Sequence, residues 1–174
     1  MAPPRPLLAV VFLAAKDLLL LSPAEAGTVG VNYGRVTNNL PNPAAVVQLL
    51  KQHGVAHVKL YDADPTVLRA LANTGIKVVV TLPNEQVAAS ASRASYALLC
   101  VRRNVAMYHP ATQIQGIAVD NDVFASCKNE TAYLVPAMAN VHAALDRLDL
   151  DGVVKESSLI ALTGLASSYP SSET

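Results

Sequence analysis

The sequence predicts an α/β fold built on a parallel sheet, and three observations lead there. Short β-branched runs alternate with longer helical patterns along most of the chain. Asparagine or aspartate followed by proline opens two of those helical stretches, at Asn42-Pro43 and Asp64-Pro65. Polar and aromatic residues recur where the apolar runs end. The composition is compatible: 174 residues, 52% hydrophobic and 15% charged, suit one core-bearing folded domain and exclude a disordered chain.

Taken in order, TVGVNY (Thr28 to Tyr33) reads as the first strand. Asn42 caps a helix that carries Pro43 at its first position, runs to His53 and stops at Gly54. HVKLYD (His57 to Asp62) is the second strand, and Asp64-Pro65 starts a helix that ends at Gly75. KVVVTL (Lys77 to Leu82) is the third strand, followed by helical pattern from Glu85 to about Tyr108. GIAV (Gly116 to Val119) is the fourth. Thr131 to Leu148 is amphipathic, with Leu134, Met138, Val141 and Leu145 on one face. VVKESS (Val153 to Ser158) follows Gly152 as a fifth strand.

Two architectures fit this rhythm, an open doubly wound sheet and a (β/α)8 barrel. No glycine-rich phosphate loop follows any strand, which removes the usual nucleotide-binding reason for the open sheet. The strands end instead in Asn32-Tyr33, Tyr61-Asp62, Asn84-Glu85 and Asn121-Asp122. In a barrel such ends converge on one face, where active sites sit. Tyrosine, asparagine and carboxylate groups together suit a sugar, which offers hydroxyls to bond and apolar ring faces to stack on.

The first 26 residues read as a secretory leader rather than as fold. Arg5 precedes apolar stretches at Leu7 to Ala15 and Leu18 to Leu21, and Ala24-Glu25-Ala26 is a small-residue cleavage site before Gly27. Neither stretch reaches the ~20 residues that span a bilayer. The expected mature domain is 27–174, secreted, with no membrane span. Secretion makes Asn129-Glu130-Thr131 a candidate glycosylation site at Asn129. Cys100 and Cys127 could pair in an oxidising compartment, while the apolar setting of Cys100 fits a buried free thiol. Balanced charge, with Lys+Arg 13 and Asp+Glu 13, gives no footprint for nucleic acid. The four histidines show no ligand spacing, so neither a metal nor any other cofactor is expected.

GVNYGRVTNNLPNP, VKLYDADPTVLRAL, GIKVVVTLPNE and RRNVAMYHPATQIQGIAV together resemble the plant family 17 glycoside hydrolases, the endo-1,3-β-glucanases. The resemblance runs from about Thr28 to Ser172. It implies a (β/α)8 barrel that hydrolyses β-1,3-glucan with retention of configuration, using two glutamates. Where that family carries AVGNEV, this chain carries AVDNDV. The resemblance therefore places Asp122 at the acid/base position, Asn121 beside it as a partner for the substrate's 2-hydroxyl, and Asp120 where the family has glycine. It also places Tyr33, Tyr61 and Asp62 along the sugar cleft, and Lys59 where arginine is usual.

These departures have physical consequences. Aspartate is one methylene shorter than glutamate, which withdraws the proton donor by ~1.5 Å. Retaining glycosidases hold their two carboxyls only ~5–5.5 Å apart, so there is little slack. Asp120 adds a negative charge nearby, which raises the apparent pKa of the carboxylate pair. A (β/α)8 barrel typically needs about 250 residues, so this chain is expected to form an incomplete barrel ending after about the fifth strand. The nucleophile-bearing strand lies beyond that point, and impaired or absent catalysis is expected, with a glucan-binding relic or a non-functional product as alternatives. Exposed strand edges would then favour edge-to-edge self-association.

Overall fold

The computed structural model describes residues 28–36, 39–120 and 131–159. Five strands form one sheet in the order β1-β2-β3-β4-β5, every neighbouring pair parallel. They are β1 (Val29–Tyr33), β2 (Val55–Leu60), β3 (Lys77–Leu82), β4 (Gln113–Val119) and β5 (Lys155–Ser157). The expected βα rhythm and parallel pairing are therefore present, as a barrel sector.

The helices begin where cap chemistry places them. Helix α1 (Pro43–Gln52) starts on Asn42, whose side chain accepts from the Ala44 amide at 2.9 Å. It ends just before Gly54, whose φ of +64° suits glycine. Helix α2 (Pro65–Ala70) starts on Asp64, which accepts from the Thr66 and Val67 amides at 2.7 and 3.1 Å. Each cap satisfies amides that would otherwise lack an intrahelical partner.

Beyond β3 the helical stretch is divided, where the sequence suggested one continuous run. Helix α3 (Asn84–Ser92) and helix α4 (Ala94–Val101) meet at Arg93, whose backbone is extended (φ −141°, ψ 106°). The cause lies on helix α5 (Thr131–Asp146). Its Asn140 amide donates to the carbonyls of Ser90 and Ala91 at 2.8 and 3.0 Å. A side chain thus occupies carbonyls that a continuing helix would have used. Helix α4 then widens into a π-helical turn over Arg102–Ala106.

The fifth strand is shorter than the predicted 153–158. The amides of Val153 and Val154 both donate to the Leu150 carbonyl, at 3.0 and 2.8 Å, so they are used by a turn and cannot join the ladder. Strand β5 fits closely against β4 because Gly116 has no side chain. A Cβ there would lie 3.2 Å from the Lys155 carbonyl oxygen.

The core lies between the sheet and the helices. Val58, Leu60, Val78, Val80, Leu82, Ile117 and Val119 supply the sheet side. Val67, Leu68, Val87, Ala97, Val101, Val105, Leu134, Val141 and Leu145 supply the helix side, with Met138 packed against it. Each fully buried Val or Leu contributes about 1.5–3 kcal/mol, so this layer carries most of the stability. The alternate positions His57, Lys59 and Val79 are only half-buried. They line a cavity of about 210 Å³ with Gly30, Val31, Asn32 and Val58. Chemistry-bearing side chains thus lie outside the hydrocarbon layer.

Cys100 is half-buried, and its thiol donates to Gln86 Oε1 at 3.6 Å. Cys127 lies outside the described residues, as does the expected leader. Among the described residues no helix is long and apolar enough to cross a membrane. No described group of His, Cys, Asp and Glu is placed to hold a metal ion.

Candidate active site

Because all five strands run in one direction, their C-terminal ends share one edge of the sheet. That edge gathers Tyr33, then Tyr61-Asp62, then Pro83-Asn84, then Asp120. The register is continuous one step back from the edge: Asn32 pairs with Lys59, Lys59 with Val79, Val79 with Gly116, and Gly116 with Lys155. The Thr81 hydroxyl donates to the Leu60 carbonyl at 2.7 Å, fixing the end of β2 beside β3.

Tyr61 is the exposed aromatic of this edge, 42% accessible. Its ring lies beneath the Lys59 ammonium, with Nζ 4.4 Å from the ring centroid. Gly34 borders the ring: a Cβ at that position would lie 3.7 Å from Tyr61 Cε2. Tyr33 is more withdrawn. Its ring packs against the core, and its buried hydroxyl has no hydrogen-bond partner among the described residues.

Asp62 holds the loops together. It accepts from Arg35 Nη2 at 2.7 Å and from the Asp64 amide at 3.2 Å. Arg35 also pairs with Asp64 at 3.1 Å, tying the segment after β1 to the segment after β2. Burial opposes the Arg35 charge, but the Asp62 and Asp64 carboxylates outweigh it and hold the guanidinium above its ordinary value. Burial likewise raises Asp64, yet the Val67 and Thr66 amides and Arg35 together keep its carboxyl below the usual range.

Asp120 ends β4. It is fully buried, its amide donates to the Leu82 carbonyl at 3.1 Å, and its φ is +81°. That is left-handed backbone, where glycine is at ease and an L side chain is strained. The resemblance has glycine at this position, and the backbone supplies the physical reason. Burial of Lys59 pushes its ammonium below the ordinary lysine value, partly offset by the Asp120 carboxylate.

The structure thus gathers Tyr33, Tyr61 and Asp62 at one edge. Asn121, Asp122 and Asn129 lie outside the described residues. Glu85, exposed in the first turn of α3, occupies the helix-dipole position rather than the edge. The sequence reading did not find the Arg35 clamp. Its only signal is an arginine two residues after Tyr33, and the 27-residue separation from Asp62 hides the partner.

A parallel βα sheet with aromatic and acidic groups at its C-terminal strand ends defines the class: an incomplete (β/α) barrel with its candidate site on the usual face. The comparisons make the class specific. The family description "Glycosyl hydrolases family 17" matches residues 29–174. Glucan endo-1,3-beta-glucosidase 2 of Arabidopsis thaliana is 41% identical over 152 residues, covering 87% of this chain and 30% of that protein. Glucan endo-1,3-beta-D-glucosidase of Olea europaea is 38% identical over 167 residues, covering 95% of this chain and 36% of that protein. The solved structure of CJP38, a beta-1,3-glucanase and allergen of Cryptomeria japonica pollen, superposes with a TM-score of 0.77 at 35% identity. It covers 79% of this chain and 43% of that one. The chain belongs to glycosyl hydrolase family 17. It spans about a third of the length of the curated relatives it matches.

Proposed function

We propose that the protein is an endo-1,3-β-glucanase that cleaves internal glucosidic bonds of β-1,3-glucan with retention of configuration. What supports this is the family match running through the strand ends that carry Tyr33, Tyr61 and Asp120. Tyr33 and Tyr61 line the sugar cleft, and Asn121 bonds the 2-hydroxyl. Asp62 holds the cleft wall through Arg35. Asp122 is the acid/base: it gives its proton to the glycosidic oxygen as the C1–O bond breaks and C1 bonds to a second carboxylate, then takes one from the water that displaces that carboxylate from C1. The second carboxylate, the nucleophile, is not among these residues.

The reading includes slow chemistry. A donor withdrawn by about one carbon–carbon bond is a misplacement of the kind that costs on the order of a hundredfold in rate. The test is turnover of a β-1,3-glucan pentasaccharide by the full-length protein. Asp122→Asn should abolish it, and Asp122→Glu should raise kcat by about tenfold or more. Pentasaccharide affinity without turnover in both the unaltered protein and Asp122→Glu would replace the enzyme reading with that of a glucan-binding relic. We place the protein in the secreted fraction, with residues 1–26 removed and a glycan on Asn129. Secreted material that does not begin at Gly27 would overturn that placement.

A further inference from the structure

The edge that carries Tyr61 holds that ring with a cation. Lys59 sits two residues earlier on β2, on the same face, and its Nζ lies 4.4 Å from the ring centroid. An ammonium at this distance is attracted by the ring quadrupole. The same ammonium feels the carboxylate of Asp120, which is fully buried at the end of β4. The backbone on either side of the ring is also pinned. Gly34 borders its edge, and Arg35 ties the segment after β1 to Asp62 and Asp64. What these contacts leave accessible is an aromatic surface at the edge where the strands end.

We propose that Lys59 is a positioning residue: seated over the Tyr61 ring, with Asp120 steadying its charge, it fixes that ring as a preformed platform for a glucosyl unit. The platform's ligand rests on the glucanase reading above, whereas the Lys59–Asp120–Tyr61 coupling does not. A ring already held needs less ordering when sugar arrives, and affinity rises by that saving. Asp120 acts through Lys59 rather than on the sugar. Its substitution therefore matters only while the ammonium is present.

The test uses the full-length protein with Lys59→Met, which keeps the length of the side chain and deletes its charge, and with Lys59→Arg, Asp120→Asn and the Lys59→Met/Asp120→Asn double variant. Pentasaccharide affinity should fall roughly three- to tenfold in Lys59→Met, the range expected when one side chain must be ordered on binding. It should stay within about twofold in Lys59→Arg. Asp120→Asn should weaken binding in the Lys59 background and add nothing to Lys59→Met. Without ligand, the Lys59 Nζ resonance should titrate at lower pH in Asp120→Asn. The Tyr61 ring resonances should shift in Lys59→Met. Equal affinity in Lys59→Met and the unaltered protein, or additive losses in the double variant, would overturn the proposal. If the unaltered protein binds no pentasaccharide, the glucanase reading falls, and the ligand-free spectra then decide the coupling. An unmoved Lys59 titration in Asp120→Asn, or unmoved Tyr61 resonances in Lys59→Met, overturns it.

Discussion

Asp120 offers the sharpest separation of backbone strain from side-chain chemistry. Its φ of +81° is left-handed, and its side chain is fully buried. Two substitutions remove the same carboxylate, Asp120→Gly and Asp120→Ala, and both leave Lys59 facing the same lost charge. The difference between them isolates the backbone. An L residue in left-handed conformation is disfavoured by about 1–2 kcal/mol, and glycine loses extra chain entropy on folding worth roughly 0.5–1 kcal/mol. The net expectation is that Asp120→Gly is more stable than Asp120→Ala by about 1 kcal/mol, a difference that the change in charge cannot produce. Urea unfolding of the two variants, with slopes compared to confirm the same transition, measures it directly. Equal midpoints, or an alanine variant more stable than the glycine variant, would refute the argument from strain.

Three other outcomes are expected. Asn140→Leu removes both donors that α5 offers to Ser90 and Ala91 and should cost about 1–2 kcal/mol in urea unfolding, because two part-buried carbonyls lose their partner. Asp64→Asn keeps a competent helix cap but deletes the charge. The folded-state pKa of Asp64 lies below its ordinary value, so its stabilising contribution is present above the unfolded pKa and is lost as pH falls through the folded one. Asp64→Asn should therefore be less stable than the unaltered protein at neutral pH, with the gap between their unfolding curves closing as pH falls below about 4. A polypeptide restricted to residues 27–174 presents the outer edges of β1 and β5, and should self-associate in sedimentation or light scattering. A monodisperse monomer with a cooperative melt would contradict that expectation.

The fold was legible wherever local chemistry decides it. Asn42-Pro43 and Asp64-Pro65 announce helices because a side-chain acceptor followed by a residue without an amide is what a helix start needs. The strands were legible because β-branched runs between such caps have few alternatives. What stayed hidden depends on partners distant in sequence. Nothing near Arg93 announces a break, since its cause is Asn140 on another helix. Nothing near Val153 announces that Leu150 takes its amide and that of Val154. At the site, the sequence pointed to Tyr33, Lys59, Tyr61 and Asp62 but not to the Arg35 clamp that holds Asp62. That clamp depends on the loop that returns Arg35 to Asp62 across 27 residues of sequence.

The division of labour across the sheet explains how a site can drift while its frame persists. Val58, Leu60, Val78, Val80 and Leu82 face the helices and are almost fully buried, so substitution there removes packing worth several kcal/mol. Lys59, Tyr61 and Asp62 sit at or near the other boundary, half-buried or exposed, where substitution costs stability little. Selection for folding therefore acts on one set of residues and selection for chemistry on the other. Asp120 is an exception, because it joins a buried carboxylate to strained backbone at the end of β4. A glycine would relieve the strain, so an aspartate that persists there requires compensation from its surroundings, and the Lys59 charge, which the Asp120 carboxylate favours, is one source of it. The two positions should consequently change together. An aspartate at 120 facing a neutral residue at 59 would be less stable than either chain with both charges or chain with neither, and a double-mutant cycle between Lys59→Met and Asp120→Gly should show a coupling of at least about 0.5 kcal/mol.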